Sequence, residues 1–229
     1  MTSSTETPPG TPWHRHFFYR KNSLKTTWKL RLGVLALLVL GAATLMLTRE
    51  FWALRIGQSL VCAEDVTQSD AFLIENFDPR YLVFEQGRTL QEAGVASRAF
   101  VPTFTPKTSD EPNGVPQGFV EVMIRISRLQ NVEMIPIREI EPISLNAAEQ
   151  IRDFLKKKQV KSVLVVAPDF RSRRSELVYK TILTPAGITV HCVPVFGTKT
   201  VHNWTKSWHG IEEVGLQFGK LWYYRLFVL

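Results

Sequence analysis

The sequence predicts an α/β protein in which one membrane-spanning helix precedes a mainly parallel five-stranded sheet covered by helices on both faces. Three observations carry this reading. The run from Leu32 to Thr48 (LGVLALLVLGAATLMLT) is uncharged. After it, short apolar runs alternate with segments of helical period. One of those runs, Ser162 to Ala167 (SVLVVA), shows no in–out alternation, as expected of a parallel strand buried on both faces.

The chain has 229 residues, 28 Lys plus Arg against 21 Asp plus Glu, and two Cys. That length suits one domain with a sizeable core, and two cysteines exclude a disulfide scaffold or a four-thiolate zinc site. The basic excess is local. Residues 1–31 hold six basic side chains and one acid, Glu6, which leaves 22 bases against 20 acids in the rest. A nearly neutral body does not read as a nucleic-acid binder, which concentrates basic charge on one face. The basic stretch reads instead as a topology signal for the span behind it.

As a helix, residues 32–48 extend ~26 Å, close to the ~30 Å hydrocarbon core of a bilayer. Leu30, Phe51 and Trp52 can lengthen it, with Arg31 and Arg49 snorkelling towards headgroups. No small-residue cleavage site comes after the run, so the segment reads as an uncleaved anchor. The preceding basic flank predicts a cytoplasmic N-terminus and translocation of residues 49–229. The expected organisation is a basic, largely disordered tail over 1–29, the anchor over 30–52, a linker over 53–69, and an α/β domain over 70–229. Cys62 and Cys192 either pair or stay as buried thiols.

Within the domain, Asp70 to Ile74 reads as the first strand, with a helix after it that Asp78 caps and Pro79 opens. That helix carries Tyr81, Phe84 and Leu90 and stops at Gly94. Ala99 to Val101 is a second strand, and 102–116 a long loop. Phe119, Val122, Met123, Ile126 and Leu129 form one face of the next helix. Val132 to Ile137 is a third strand. Asn146 and Glu149 have the spacing of a capping pair for a helix whose inward face is Ile151, Phe154 and Leu155. The fourth strand, 162–167, leads to a helix from about Ser172 to Leu183, closed by Pro185 and Gly187. Ile188 to Val193 is the fifth strand, and the aromatic-rich 204–229 is helical in part. In such a sheet ligands sit beyond the carboxyl ends of the strands.

Two stretches carry a family likeness. EPISLNA (141–147) resembles the acidic, Ser/Thr, Asn segment that opens a helix in the YdcF-like family, the SanA/ElyC type of bacterial envelope domain. VLVVAPDFRSRRS (163–175) resembles that family's strand, turn and basic helix start. The resemblance runs from about Asp70 to Leu229. It implies a Rossmann-like three-layer sandwich, often behind one N-terminal anchor in the bacterial inner membrane, with a part in envelope integrity and in lipid-carrier or polysaccharide metabolism. The chain departs from the pattern at two turns. The first strand runs into Glu75-Asn76-Phe77-Asp78 without a glycine, and Asp169-Phe170-Arg171 stands where the family has histidine.

These loops supply the candidate site. Arg171, Arg173 and Arg174 crowd a helix N-terminus, where guanidinium forks and open backbone N–H groups suit a phosphate or carboxylate. Arg171 and Arg174 are the expected anion ligands, with Asn76, Ser144, Asn146 and Asp169 as further binding residues. Glu141 is the candidate acid/base group. His202 and His209 are spaced wrongly for two ligands on one helical turn, so no metal site is expected, and no cofactor is specified. Phe77 and Phe170 are the side chains able to fill a pocket beside Arg171.

The resulting expectation is a single-pass, extracytoplasmic domain that binds an anionic, phosphate-bearing or lipid-linked ligand, held in the bilayer through Leu32 to Thr48. A second expectation, motivated by the missing glycine turn and the aromatic C-terminal segment, is a catalytically inactive accessory subunit with membrane-protein partners. No nucleic-acid partner is expected.

Overall fold

The computed structural model describes residues 18–20, 24–77, 80–105 and 114–229. They fall into two units, 1–52 and 53–229. In the first, strands β1 (Phe18–Arg20) and β2 (Leu24–Thr26) pair antiparallel ahead of helix α1 (Trp28–Leu47). α1 has 20 residues, a mean hydropathy of 2.2 and no buried residue. At 1.5 Å per residue it extends about 30 Å, so this helix is long and apolar enough to span a membrane. α2 (Arg49–Ser59) comes directly after it, with Phe51 and Trp52 exposed and in edge-to-face contact at 5.4 Å.

The second unit is the expected α/β three-layer sandwich. Five parallel strands, β3 (Ala71–Ile74), β4 (Ala99–Thr105), β5 (Val132–Arg138), β6 (Ser162–Pro168) and β7 (Thr189–Val195), lie in the order β5-β4-β3-β6-β7. The connecting helices are α3 (Tyr81–Glu92), α4 (Gly114–Ser127), α5 (Ile143–Lys157) and α6 (Ser172–Leu183), and α7 (Trp208–Tyr223) ends the fold. Alternate residues of each strand face opposite layers. Leu73, Phe100, Val163 and Val165 pack with Ile151 and Leu155 of α5 and Val178 of α6. Phe72, Ile74, Leu164 and Val166 pack with Phe84 of α3 and Val120 of α4. The sheet therefore serves two cores, which is why β3 throughout and β6 from Val163 onward are apolar.

Strand order reverses between β3 and β6, because α3 and α4 cover one face while α5 and α6 cover the other. The carboxyl ends of those two strands open the crevice in which doubly wound sheets place ligands.

Three local readings are corrected. α4 buries Val120 and Ser127 and packs Met123 and Ile124 inward, while Phe119, Val122 and Ile126 are exposed. Apart from a polar stripe of Gln117, Glu121 and Arg125 the helix is apolar over more than half a turn, so two faces about 100° apart fit within that arc. The face with the small residue Ser127, whose hydroxyl donates to the Met123 carbonyl at 2.8 Å, turns inward. α5 starts three residues before the Asn146–Glu149 pair. Pro142, with φ −73°, caps it, and the Glu141 carboxylate accepts from Ile143 N at 3.3 Å. Tyr81 is exposed on α3, whose buried positions are Val83, Phe84, Gly87 and Leu90. The Asp78–Pro79 helix opening and most of the 102–116 loop lie outside the described residues, although β4 continues to Thr105.

Residues 53–69, expected as a linker, carry the end of α2 and then stitch onto the sandwich. Cys62 and Cys192 form a disulfide with a Cα–Cα distance of 6.3 Å. Cys62 N donates to Ser172 Oγ at 3.1 Å, Arg173 N to the Leu60 carbonyl at 3.0 Å, and Asp65 N to the Cys192 carbonyl at 3.0 Å. These bonds fix the start of α6, where the candidate arginines sit.

Candidate functional site

The crevice between β3 and β6 divides into a buried ion-pair layer and an open pocket. Glu75, directly after β3, is 1% exposed and accepts from Ser175 Oγ at 2.6 Å. A buried carboxylate needs positive charge nearby. Arg174 supplies it: burial pulls its guanidinium down from the usual arginine range, and the Glu75 charge opposes that fall. The same burial, with Glu75 adding to it, pushes the Tyr179 phenol well up, and the Tyr179 hydroxyl has no hydrogen-bond partner among the described residues. Asn76 is buried beside Glu75 in sequence, its Oδ1 likewise without a partner among the described residues.

Asp169, directly after β6, is 4% exposed. Arg80 donates to its Oδ2 at 2.6 Å and, through its other nitrogen, to Glu213 of α7 at 2.7 Å. Lys199 donates to the second Glu213 oxygen at 2.6 Å. Burial raises the Asp169 carboxyl; Arg80 opposes the rise and Glu213 adds to it. For Glu213 burial would also raise the group, but hydrogen bonds from Lys199 and Arg80 outweigh it and hold the carboxyl low. This chain of charges ties the loops after β3, β6 and β7 to α7. Asp169 is thus committed to structure, with its Oδ1 accepting from Phe170 N at 2.8 Å and its carbonyl accepting from Ser172 Oγ at 2.6 Å.

The open pocket, of about 350 Å³, lies between the start of α5, the start of α6 and the end of α7. Arg171, Arg174 and Lys220 give it three cations against one carboxylate, Glu141. Phe77, Tyr223 and Tyr224 form its aromatic wall, and Ser144 lies at the α5 edge. Arg174 sits 5.4 Å over the Tyr224 ring. Tyr224 also accepts from Ser144 N at 3.2 Å, which joins α7 to α5 across the pocket. The pocket is open. Phe77 leans on Phe104 at one wall (centroids 5.6 Å apart), while Phe170 is buried elsewhere with Leu60, Trp204 and Leu221.

Of the residues expected at the site, Glu141, Ser144, Arg171 and Arg174 line this one pocket. Asn146 does not: it is inside the first turns of α5, and its side-chain amide donates to the Pro142 carbonyl at 3.3 Å. Asn76 and Asp169 lie in the buried layer. At the α6 start, where open backbone N–H groups are expected, Ser172 N and Arg173 N are instead bonded to the carbonyls of Asp169 and Leu60. The helix starts contribute their dipoles, and direct donation falls to the cations.

Lys220, Tyr223 and Tyr224 do not stand out in the sequence, nor do Arg80, Lys199 and Glu213. The i, i+3, i+4 spacing of 220, 223 and 224 places them on one side of a helix, but only the docking of α7 brings that side to α6. His202 and His209 are both exposed. No protein-family model and no curated protein sequence matches this chain.

Proposed function

We propose that this is a single-pass, membrane-anchored protein whose α/β domain lies outside the cytoplasm of a bacterial cell and binds an anionic, phosphate-bearing ligand in envelope glycan or lipid-carrier metabolism. The observation that carries the reading is the pocket at the reversal of strand order, where Arg171, Arg174 and Lys220 meet an aromatic wall. Guanidinium and ammonium groups neutralise a phosphate, and the rings of Phe77, Tyr223 and Tyr224 suit an attached sugar, base or prenyl chain. Ser144 lies where it can orient the ligand, and Glu141 is the acid/base candidate. Placement outside the cytoplasm is supported by the basic residues before α1 and by the Cys62–Cys192 disulfide, which persists in oxidising compartments.

The test is calorimetric titration of the full chain in detergent with inorganic pyrophosphate and with a short-chain prenyl phosphate. Arg171→Ala plus Lys220→Ala leaves in place Arg174, whose charge offsets that of buried Glu75, and should weaken binding at least ~10-fold, since a charge-assisted hydrogen bond contributes about 1.5–3 kcal/mol. Equal affinity in the variant would refute the site.

A second reading, an accessory subunit without chemistry, is favoured by α4, which exposes Val115, Phe119, Val122 and Ile126. Glu141→Gln separates the two. Loss of turnover with binding intact supports the acid/base role, whereas an accessory protein keeps its cellular phenotype with this substitution and loses it when α4 is made polar.

A further inference from the structure

The outer side of α7 carries an aromatic surface that the sandwich leaves uncovered. Its inner side buries Gly210, Val214, Gln217 and Leu221. Next to them round the helix, with centres about 110° apart, Trp208, Ile211, Phe218 and Trp222 recur at i, i+3, i+10 and i+14, a stripe about 80° wide at 100° per residue. Leu226 and Phe227 continue it past the helix, with Trp208 73% and Phe227 78% exposed. Arg225 borders the stripe, and its guanidinium lies 5.6 Å over the Trp222 ring. A helix with Trp and Phe along one exposed side and an arginine at its margin has the composition of a segment lying in a membrane interface.

The chain itself limits what this face can meet. The inner side of α7 packs with Ala53, Ile56, Leu60 and Trp204, and the Trp204 indole donates to the Ala53 carbonyl at 3.1 Å. Ala53 is only six residues beyond Leu47, the last residue of α1. Six residues reach at most ~20 Å even when fully extended. Whatever bilayer holds α1 is therefore within a short tether of the α7 packing cluster.

From this we infer that α7 and residues 224–229 dock onto the phospholipid surface of the membrane that α1 enters, with Trp208, Phe218, Trp222 and Phe227 at the headgroup–acyl boundary and Arg225 towards anionic headgroups. This rests on the proposed anchoring through α1 and not on the pocket.

The experiment uses the full chain, one copy per nanodisc, in phosphatidylcholine mixed with phosphatidylglycerol. Retention of the chain in the disc reports the anchor separately. Subtracting the emission of Trp222→Phe from that of the wild type isolates Trp222. Lipid brominated near the headgroup end of its acyl chains should quench about half of that difference signal, because interfacial helices sit ~5–10 Å deep. Leu226→Glu plus Phe227→Glu should abolish the quenching while circular dichroism and disc retention stay unchanged. A Trp222 signal untouched by brominated lipid overturns the inference in either form: open to aqueous acrylamide, as a bare face would be, or shielded from it, as a face covered by a protein partner would be.

Discussion

Breaking the Cys62–Cys192 bond is expected to remove a large share of the stability of the sandwich, chiefly through the unfolded chain. The cross-link spans 130 residues. The chain-entropy relation for a loop of that size gives about 17 cal/mol/K, or about 5 kcal/mol at 25 °C, against a usual range of about 2–5 for losing a native disulfide. The native state changes little. Both sulfurs are buried, so reduction leaves two small apolar thiols in place, and the three hydrogen bonds that stitch residues 60–65 to α6 and β7 persist. Urea unfolding of the full chain in detergent, oxidised against reduced and against Cys62→Ala plus Cys192→Ala, measures the loss. With a slope of about 2 kcal/mol/M, the midpoint should fall by roughly 1–2.5 M. Identical midpoints for oxidised chain and for chain proven reduced by alkylation would refute the entropic argument. The same thiols report compartment. Cells quenched in acid and probed with a maleimide under denaturing conditions should show no modification until reductant is added. Free modification without reductant would place residues 53–229 in a reducing compartment.

Three more outcomes rest on particular contacts. Arg80→Ala should destabilise by about 3 kcal/mol, because it strands the buried Asp169 carboxylate, and the loss should shrink in an Asp169→Asn background; a double-mutant cycle with no coupling would contradict the ion-pair chain. Gly210→Ala should cost roughly 1–3 kcal/mol and disturb the start of α7, since a Cβ there would lie 2.1 Å from the Trp204 carbonyl oxygen, and thermal unfolding measures it. Asp70 accepts from Lys161 N and Ser162 N, and the Lys161 bond above all holds its carboxyl below the ordinary value. Its contribution is therefore present above pH ~4 and lost as pH falls through the lowered value. Asp70→Asn should flatten that acid limb of the stability profile by under about 1 kcal/mol, and an unchanged limb would contradict the assignment.

The long apolar helix near the N-terminus and the secondary elements of the sandwich are legible in the amino-acid chain alone, because both arise from local patterns. An uncharged run has a length, and that length either matches a bilayer or does not. Continuous apolar runs such as 162–167 need two covering layers, and the helices between them announce a parallel sheet. The basic turn at 171–174 is legible for the same reason, as a cluster of one charge at a strand end.

Tertiary packing, by contrast, settles which strand ends become neighbours and which side of each helix turns inward. Arg80 reaches Asp169 across 89 positions, and Ser175 reaches Glu75 across 100. Lys220, Tyr223 and Tyr224 join the pocket only when α7 docks over the start of α6. α4 shows the limit most plainly: its apolar arc covers more than half a turn, so its period allows two faces, and packing against α3 and β4 selects the one with Ser127. Local periodicity fixes the kind of element, whereas partners and facing surfaces are set by burial shared among segments far apart in the chain.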